Sequence, residues 1–201
     1  RDAYADISCD KKREFSVRLG QSKVPFGLEN LQSSQNRLTL DRNDGLNSAV
    51  ANERDLGAFF YWAPAEIRER FAMLVKDGYK GSGDYGVFAF GAYNGQTANK
   101  SETNRNLHVV TRITYPFVIG NQIIEPGLQA YTGKWAFTSE LSTGVATPGL
   151  DKQYVKDQRV GATFVLYPKP FGIQTEYNFG KGPRYDKLTN TVDVTDLEGG
   201  Y

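Results

Sequence analysis

The chain has 201 residues, and 24 Lys and Arg against 23 Asp and Glu leave a formal net charge of +1, a balance that offers no bulk attraction to nucleic acid. A single cysteine (Cys9) and a single histidine (His108) exclude an internal disulfide and a multi-cysteine metal site, and no cofactor is expected. No stretch approaches the ~20 continuous apolar residues of a membrane-spanning helix.

The dominant period along the chain is two. Strands are predicted over residues 3–9 and 14–19, where Phe15, Val17 and Leu19 alternate with Glu14, Ser16 and Arg18. Residues 25–55 then break the rhythm with Ser, Asn, Gln, Asp and Arg and no alternation, and a plain loop of that length is uncommon without a function. A strand over 56–62 leads into the short turn Ala63-Pro64-Ala65-Glu66. Phe71, Met73 and Val75 against Arg70, Ala72 and Leu74 read as another strand, followed by a polar loop over 77–84. Strands over 85–93 and 107–115 flank a loop at 94–106. After Tyr115-Pro116 comes a strand over 123–135, then a loop over 139–156. A hairpin follows, 162–167 and 171–179, turning at Tyr167-Pro168-Lys169-Pro170, where two prolines stop the ladder. Its second strand is the clearest in the chain. Phe171, Ile173, Thr175, Tyr177 and Phe179 share one face, and Gly172, Gln174, Glu176 and Asn178 the other. A loop over 180–191 and a strand over 192–201 complete about ten strands.

Short connections carrying proline alternate with long polar ones, the arrangement of a membrane barrel. Closed barrels are the one way for strands to cross lipid. The mean hydropathy of -0.51 does not argue against this, because such strands hide apolar residues at every second position. Tyr61, Trp62, Tyr93, Tyr115, Phe117, Tyr131, Trp135, Tyr167 and Tyr177 lie at predicted strand ends and read as an interfacial aromatic girdle. The fold expected is all-β, a transmembrane antiparallel β-barrel with a single domain over 1–201. The chain starts at Arg1-Asp2-Ala3 without a methionine, which reads as a processed or trimmed chain.

Residues 17–42, VRLGQSKVPFGLENLQSSQNRLTLDR, resemble the phosphate-selective porins O and P. The resemblance rests on Gly20-Gln21-Ser22-Lys23-Val24-Pro25-Phe26, on Glu29 with Ser33-Ser34, and on Asp41-Arg42. Arg54-Asp55-Leu56-Gly57, Gly91-Ala92-Tyr93-Asn94-Gly95, Arg112-Ile113-Thr114-Tyr115-Pro116, Glu176-Tyr177 and the closing Leu197-Glu198-Gly199-Gly200-Tyr201 extend it over nearly the whole chain. The resemblance implies a homotrimeric porin of the Gram-negative outer membrane, each subunit a sixteen-stranded barrel narrowed by inward loops. About ten strands would then be an incomplete barrel, with 25–55 as the constriction loop. The partners implied are outer-membrane lipid and small hydrophilic solutes or inorganic anions such as phosphate.

A pore of this kind works without bond-making, by fixed charge where the lumen narrows, and arginine suits oxyanions because its planar fork stays charged. Arg18, Arg68, Arg70 and Arg112 fall on polar faces and so toward the lumen, while Arg42 and Arg54 flank the irregular segment and are the first choices for the constriction. Where phosphate-selective members carry an Arg-Arg pair, this chain has Arg54-Asp55, and the adjacent carboxylate would cancel charge. Enzymatic readings find no support: there is no Gly-x-Ser-x-Gly elbow, phosphate loop or dinucleotide fingerprint. The competing readings are a soluble secreted β-sandwich or barrel that binds carbohydrate on Trp62, Trp135 and tyrosines, and an outer-membrane barrel enzyme or adhesin.

Overall fold

The structure, a computed structural model, describes residues 2–100, 105–137, 153–186, 188–189 and 191–201. Ten strands form one antiparallel sheet: β1 (Ala3–Ser8), β2 (Phe15–Lys23), β3 (Arg54–Trp62), β4 (Phe88–Tyr93), β5 (His108–Thr114), β6 (Phe117–Ile119), β7 (Gln122–Phe137), β8 (Gln153–Leu166), β9 (Ile173–Asp186) and β10 (Thr191–Gly200). They pair in chain order, except that the short β6 folds back on β7 and β5 pairs with β7 directly. β1 and β10 each pair on one side, so the sheet is open among the described residues. Among the described residues three helices interrupt it: α1 (Leu28–Leu31), α2 (Asp44–Asn47) and α3 (Ala65–Lys76).

The two faces of the sheet are inverted relative to a water-soluble domain. On β9, Ile173 and Phe179 are 60% and 52% exposed, whereas Glu176 and Asn178 between them are 1% and 2% exposed. The exposed face continues through Leu19, Phe90, Ile113, Leu128, Val160 and Phe164 on the other strands. Fully burying a side chain of this kind is worth about 1.5–3 kcal/mol, and monomeric soluble proteins seldom leave so continuous an apolar patch in water. The inner face carries Arg112, Glu125, Gln129, Asp157, Arg159, Glu176 and Asn178, all buried. This arrangement suits a wall with lipid outside and a polar lumen inside. One sheet with its apolar face outward is also not the two-layer sandwich of the carbohydrate-binding alternative, whose apolar faces would meet.

Residues 70–75 are helical, against the expected strand. Residues 71–75 are apolar without a break, so the two-residue alternation there is weak. Ile67, Phe71 and Leu74 instead form one buried stripe at helical spacing. Pro64 precedes the first turn, and Glu66 and Lys76 stand at the ends where the helix dipole favours their charges. The stripe packs on Leu28, Val87, Ile123, Val165 and Tyr167, at the short-turn end of the sheet. Residues 77–84 therefore belong to the β3–β4 connection with α3, not to a separate long loop. Much of 180–191 is strand rather than loop, since β9 continues to Asp186 and β10 begins at Thr191. The predicted loop over 139–156 lies mostly outside the described residues.

The aromatic girdle is smaller than expected. Tyr61, Tyr93, Tyr131 and Tyr167 are buried on the inner side. Phe15, Phe117 and Tyr177 are exposed, and Phe15 lies 6.1 Å from Phe60 and 6.3 Å from Trp62 by ring centroids.

Candidate functional site

Residues 24–53 leave the end of β2, cross the inner face and return to β3. At the base of this excursion Lys23 and Arg54 are register partners, and the Val24 amide donates to the Glu53 carbonyl at 3.1 Å. Gly20 has φ +122, and a side chain there would run into the Ala3 carbonyl. Beyond it the segment is anchored to strands distant in sequence. The Gly27 amide donates to Gln129 Oε1 at 2.9 Å and the Leu28 amide to Glu176 Oε2 at 2.8 Å. Arg159 donates to the Gly45 and Ser48 carbonyls and to Ser48 Oγ, at 2.6, 3.1 and 2.8 Å. Phe26, Leu46 and Val50 pack among Phe59, Tyr93, Val110 and Tyr131, with the Phe26 ring edge-on to Tyr131 at 4.9 Å.

The excursion gathers cations around one carboxylate. Glu53 is met by Arg54 Nη1 at 2.8 Å, Lys23 Nζ at 3.4 Å, Arg42 Nε at 3.5 Å and Arg37 Nη1 at 3.8 Å. Glu53 stands at φ +67, a left-handed conformation that costs a non-glycine residue about 1–3 kcal/mol; the ion pairs offset that strain. Arg54 also takes both oxygens of Asp2, at 2.7 and 3.2 Å. Its hydrogen bonds hold the Asp2 carboxyl below the usual aspartate range. Lys23 donates to the carbonyls of Asn30, Leu31 and Gln32 at the C-terminal end of α1. Arg42 donates to Asn30 Oδ1 at 3.0 Å. Four cations contact Glu53, Arg54 also contacts Asp2, and Asp41 and Glu29 act on Arg42 from farther away. Burial pushes Arg42 below the ordinary arginine value, Glu53 opposes this, and Arg37 adds to it by like-charge repulsion.

A cleft of about 430 Å³ opens beside this cluster, with Arg18, Lys23, Arg37 and Arg54 in its wall. Arg18 is held bidentate by Asp6 at 2.7 and 2.8 Å, its guanidinium 4.1 Å from the Tyr4 ring centre. A larger hollow of about 770 Å³ lies elsewhere, among the apolar side chains Phe90, Val109, Val160 and Phe179. The cleft beside Glu53 is polar and charged and is the one suited to a hydrated ion.

The sequence model of one family, phosphate-selective porin O and P, matches residues 1–201, the whole chain. The chain belongs to this porin family. No curated protein and no solved structure matches it. The family is one of outer-membrane channels rather than enzymes.

Of the arginines expected from sequence, the fold brings Arg42, Arg54 and Arg18 to one region of the porin and sets three others apart. Arg68 and Arg70 lie on α3, not on lumen-facing strands. Arg68 pairs with Asp84 at 2.7 Å and with the Arg13 carbonyl, and Arg70 donates to the Pro116 carbonyl at 2.7 Å; both tie the helix to the short-turn end. Arg112 is on the inner wall, 3.4 Å from Glu125. Glu125 also accepts from Thr114 at 2.9 Å and from the Tyr167 hydroxyl at 2.6 Å. Asp55 does not neutralise Arg54. Its carboxylate accepts from the amides of Leu56, Gly95 and Thr97 at 2.7, 2.8 and 3.1 Å. The residues that sequence reading passed over are Lys23, Arg37, Glu53 and Arg159. Lys23 was signalled by its place in the Gly20–Phe26 motif, and Glu53 only by lying near the end of the irregular segment. Nothing local marks Arg37 or Arg159. His108 is buried on the inner wall, stacked on Tyr131 at 5.8 Å.

Proposed function

We propose that this porin is a passive channel that prefers small anions, phosphate among them, with residues 24–53 as its constriction. The observation that carries the reading is the gathering of cations at Glu53. Four cations meet this one carboxylate at the base of a segment laid across the inner face, while Asp2 pairs with Arg54. In a narrow aqueous path with low-dielectric walls, such a gathering raises the local concentration of anions and repels cations. Arg42 and Arg54 belong to this cluster and Arg18 lines the cleft beside it, whereas Arg68, Arg70 and Arg112 serve structure. The apolar outer face would lie against outer-membrane lipid, and assembly into homotrimers in a Gram-negative envelope rests on the family kinship.

The test is the reversal potential of the full-length protein in planar bilayers under a KCl gradient. An anion-selective potential is expected. A cation-selective potential, or no conductance from correctly inserted protein, would overturn the proposal.

A further inference from the structure

Resting on the anion-channel reading, we propose that the cleft beside Glu53 favours oxyanions carried on a flat unsaturated body, such as aryl phosphates, over inorganic phosphate. The lining of the cleft mixes two chemistries. Lys23, Arg37 and Arg54, with the paired carboxylates Glu53 and Asp84, bring charge, and Tyr4, Tyr85 and Val75 bring rings and apolar surface. In the same lining the Arg18 guanidinium is stacked over Tyr4 and lies 5.8 Å from the Tyr85 ring centre. Tyr85 is itself braced edge-on against Tyr61 at 6.1 Å. A guanidinium plane and tyrosine rings stack on flat π-systems, and nothing in a bare tetrahedral ion uses them.

Two buried polar atoms in the lining have no hydrogen-bond partner among the described residues, Arg37 Nε and Ser82 Oγ. Ser82 is 6% exposed and comes from the β3–β4 connection that carries Tyr85, not from the segment that carries Arg37. Buried polar groups rarely stay unpaired. The volume agrees, because about 300–1,000 Å³ is the range of sites for small organic molecules, and a five-atom phosphate fills little of 430 Å³.

The experiment measures block of the KCl current through the full-length porin by inorganic phosphate, methyl phosphate and phenyl phosphate. Phenyl phosphate is expected to half-block at a concentration about tenfold below that of methyl phosphate, the scale of one stacking contact. In Tyr85→Leu, and in Tyr4→Leu should the first fail to insert, the ratio of the two concentrations read in the same channel is expected to fall toward one. Equal block by the two esters in the native porin, or an unchanged ratio in the variants, would refute the aromatic subsite while leaving anion preference standing. A channel that is cation-selective and blocked by none of the three would overturn the anion-channel reading itself.

Discussion

Replacing Glu53 by glutamine removes the carboxylate at the centre of the cation cluster and keeps its size. The segment should keep its path. Lys23 retains three carbonyl acceptors, Arg54 retains Asp2 and Arg42 retains Asn30. The electrostatic consequence is calculable. For an ion passing about 6 Å away, one unit charge is worth roughly 0.7 kcal/mol at the dielectric of water and roughly 2.8 kcal/mol at an effective dielectric of about 20. Salt with a Debye length of about 8–10 Å cuts the lower figure by roughly half. The change helps anions and hinders cations by the same amount, so the lower estimate doubles to about 0.7–1.4 kcal/mol in the permeability ratio. Glu53→Gln should therefore raise the anion-to-cation ratio about three- to tenfold. Reversal potentials in a KCl gradient, compared with the native porin, measure it directly. An unchanged ratio, or one displaced toward cations, would show that the cluster does not face the permeation path.

Arg37→Ala should act in the opposite sense, lowering the ratio by about the same three- to tenfold in the same recording. Glu125→Ala should leave Arg112 and Tyr167 buried without their acceptor. Breaking a buried ion pair on one side costs about 3–5 kcal/mol; a lowered urea midpoint with little change in selectivity is expected, and a native midpoint would refute the assignment. Asp2→Asn tests the pH dependence. Because Arg54 depresses the Asp2 pKa, the carboxylate and its ion pair persist at neutral pH and are lost only as pH falls through the lowered value. The variant and the native porin should thus still differ in selectivity at about pH 4 and converge only below the ordinary aspartate value of about 3.9; convergence at higher pH would contradict the contact.

Strand alternation made most of the wall legible, most cleanly on β9, where from Glu176 to Phe179 buried and exposed side chains alternate as the two faces require. It failed where an apolar run without alternation was forced into a two-residue period, and α3 resulted. It also misjudged aromatics near strand ends, because position along a strand says nothing about face. Tyr61 is one residue from Trp62 and points to the other side of the wall. The irregular segment was visible as an irregularity, and its path was not. That path is set by Gln129, Glu176 and Arg159, more than 100 residues away in sequence. Arg37 reaches Glu53 only because those distant side chains fold the segment across the inner face. No local pattern encodes such a meeting.

The same reasoning explains why Asp55 does not undo the charge of Arg54. Three backbone amides occupy the Asp55 carboxylate, so adjacency in sequence is poor evidence for pairing. Asp55 turns to the inner wall and is 2% exposed, tying the start of the β4–β5 connection through the Gly95 and Thr97 amides. Arg54 meets Glu53 and Asp2 instead. Asp55→Asn should accordingly shift the permeability ratio by less than Glu53→Gln, while costing stability of about 1–3 kcal/mol through weakened acceptance from three amides. Paired bilayer recordings and urea midpoints of the two variants separate the roles. A larger selectivity shift at residue 55 than at residue 53 would mean that the sequence neighbour, and not the folded neighbour, governs the field at the constriction.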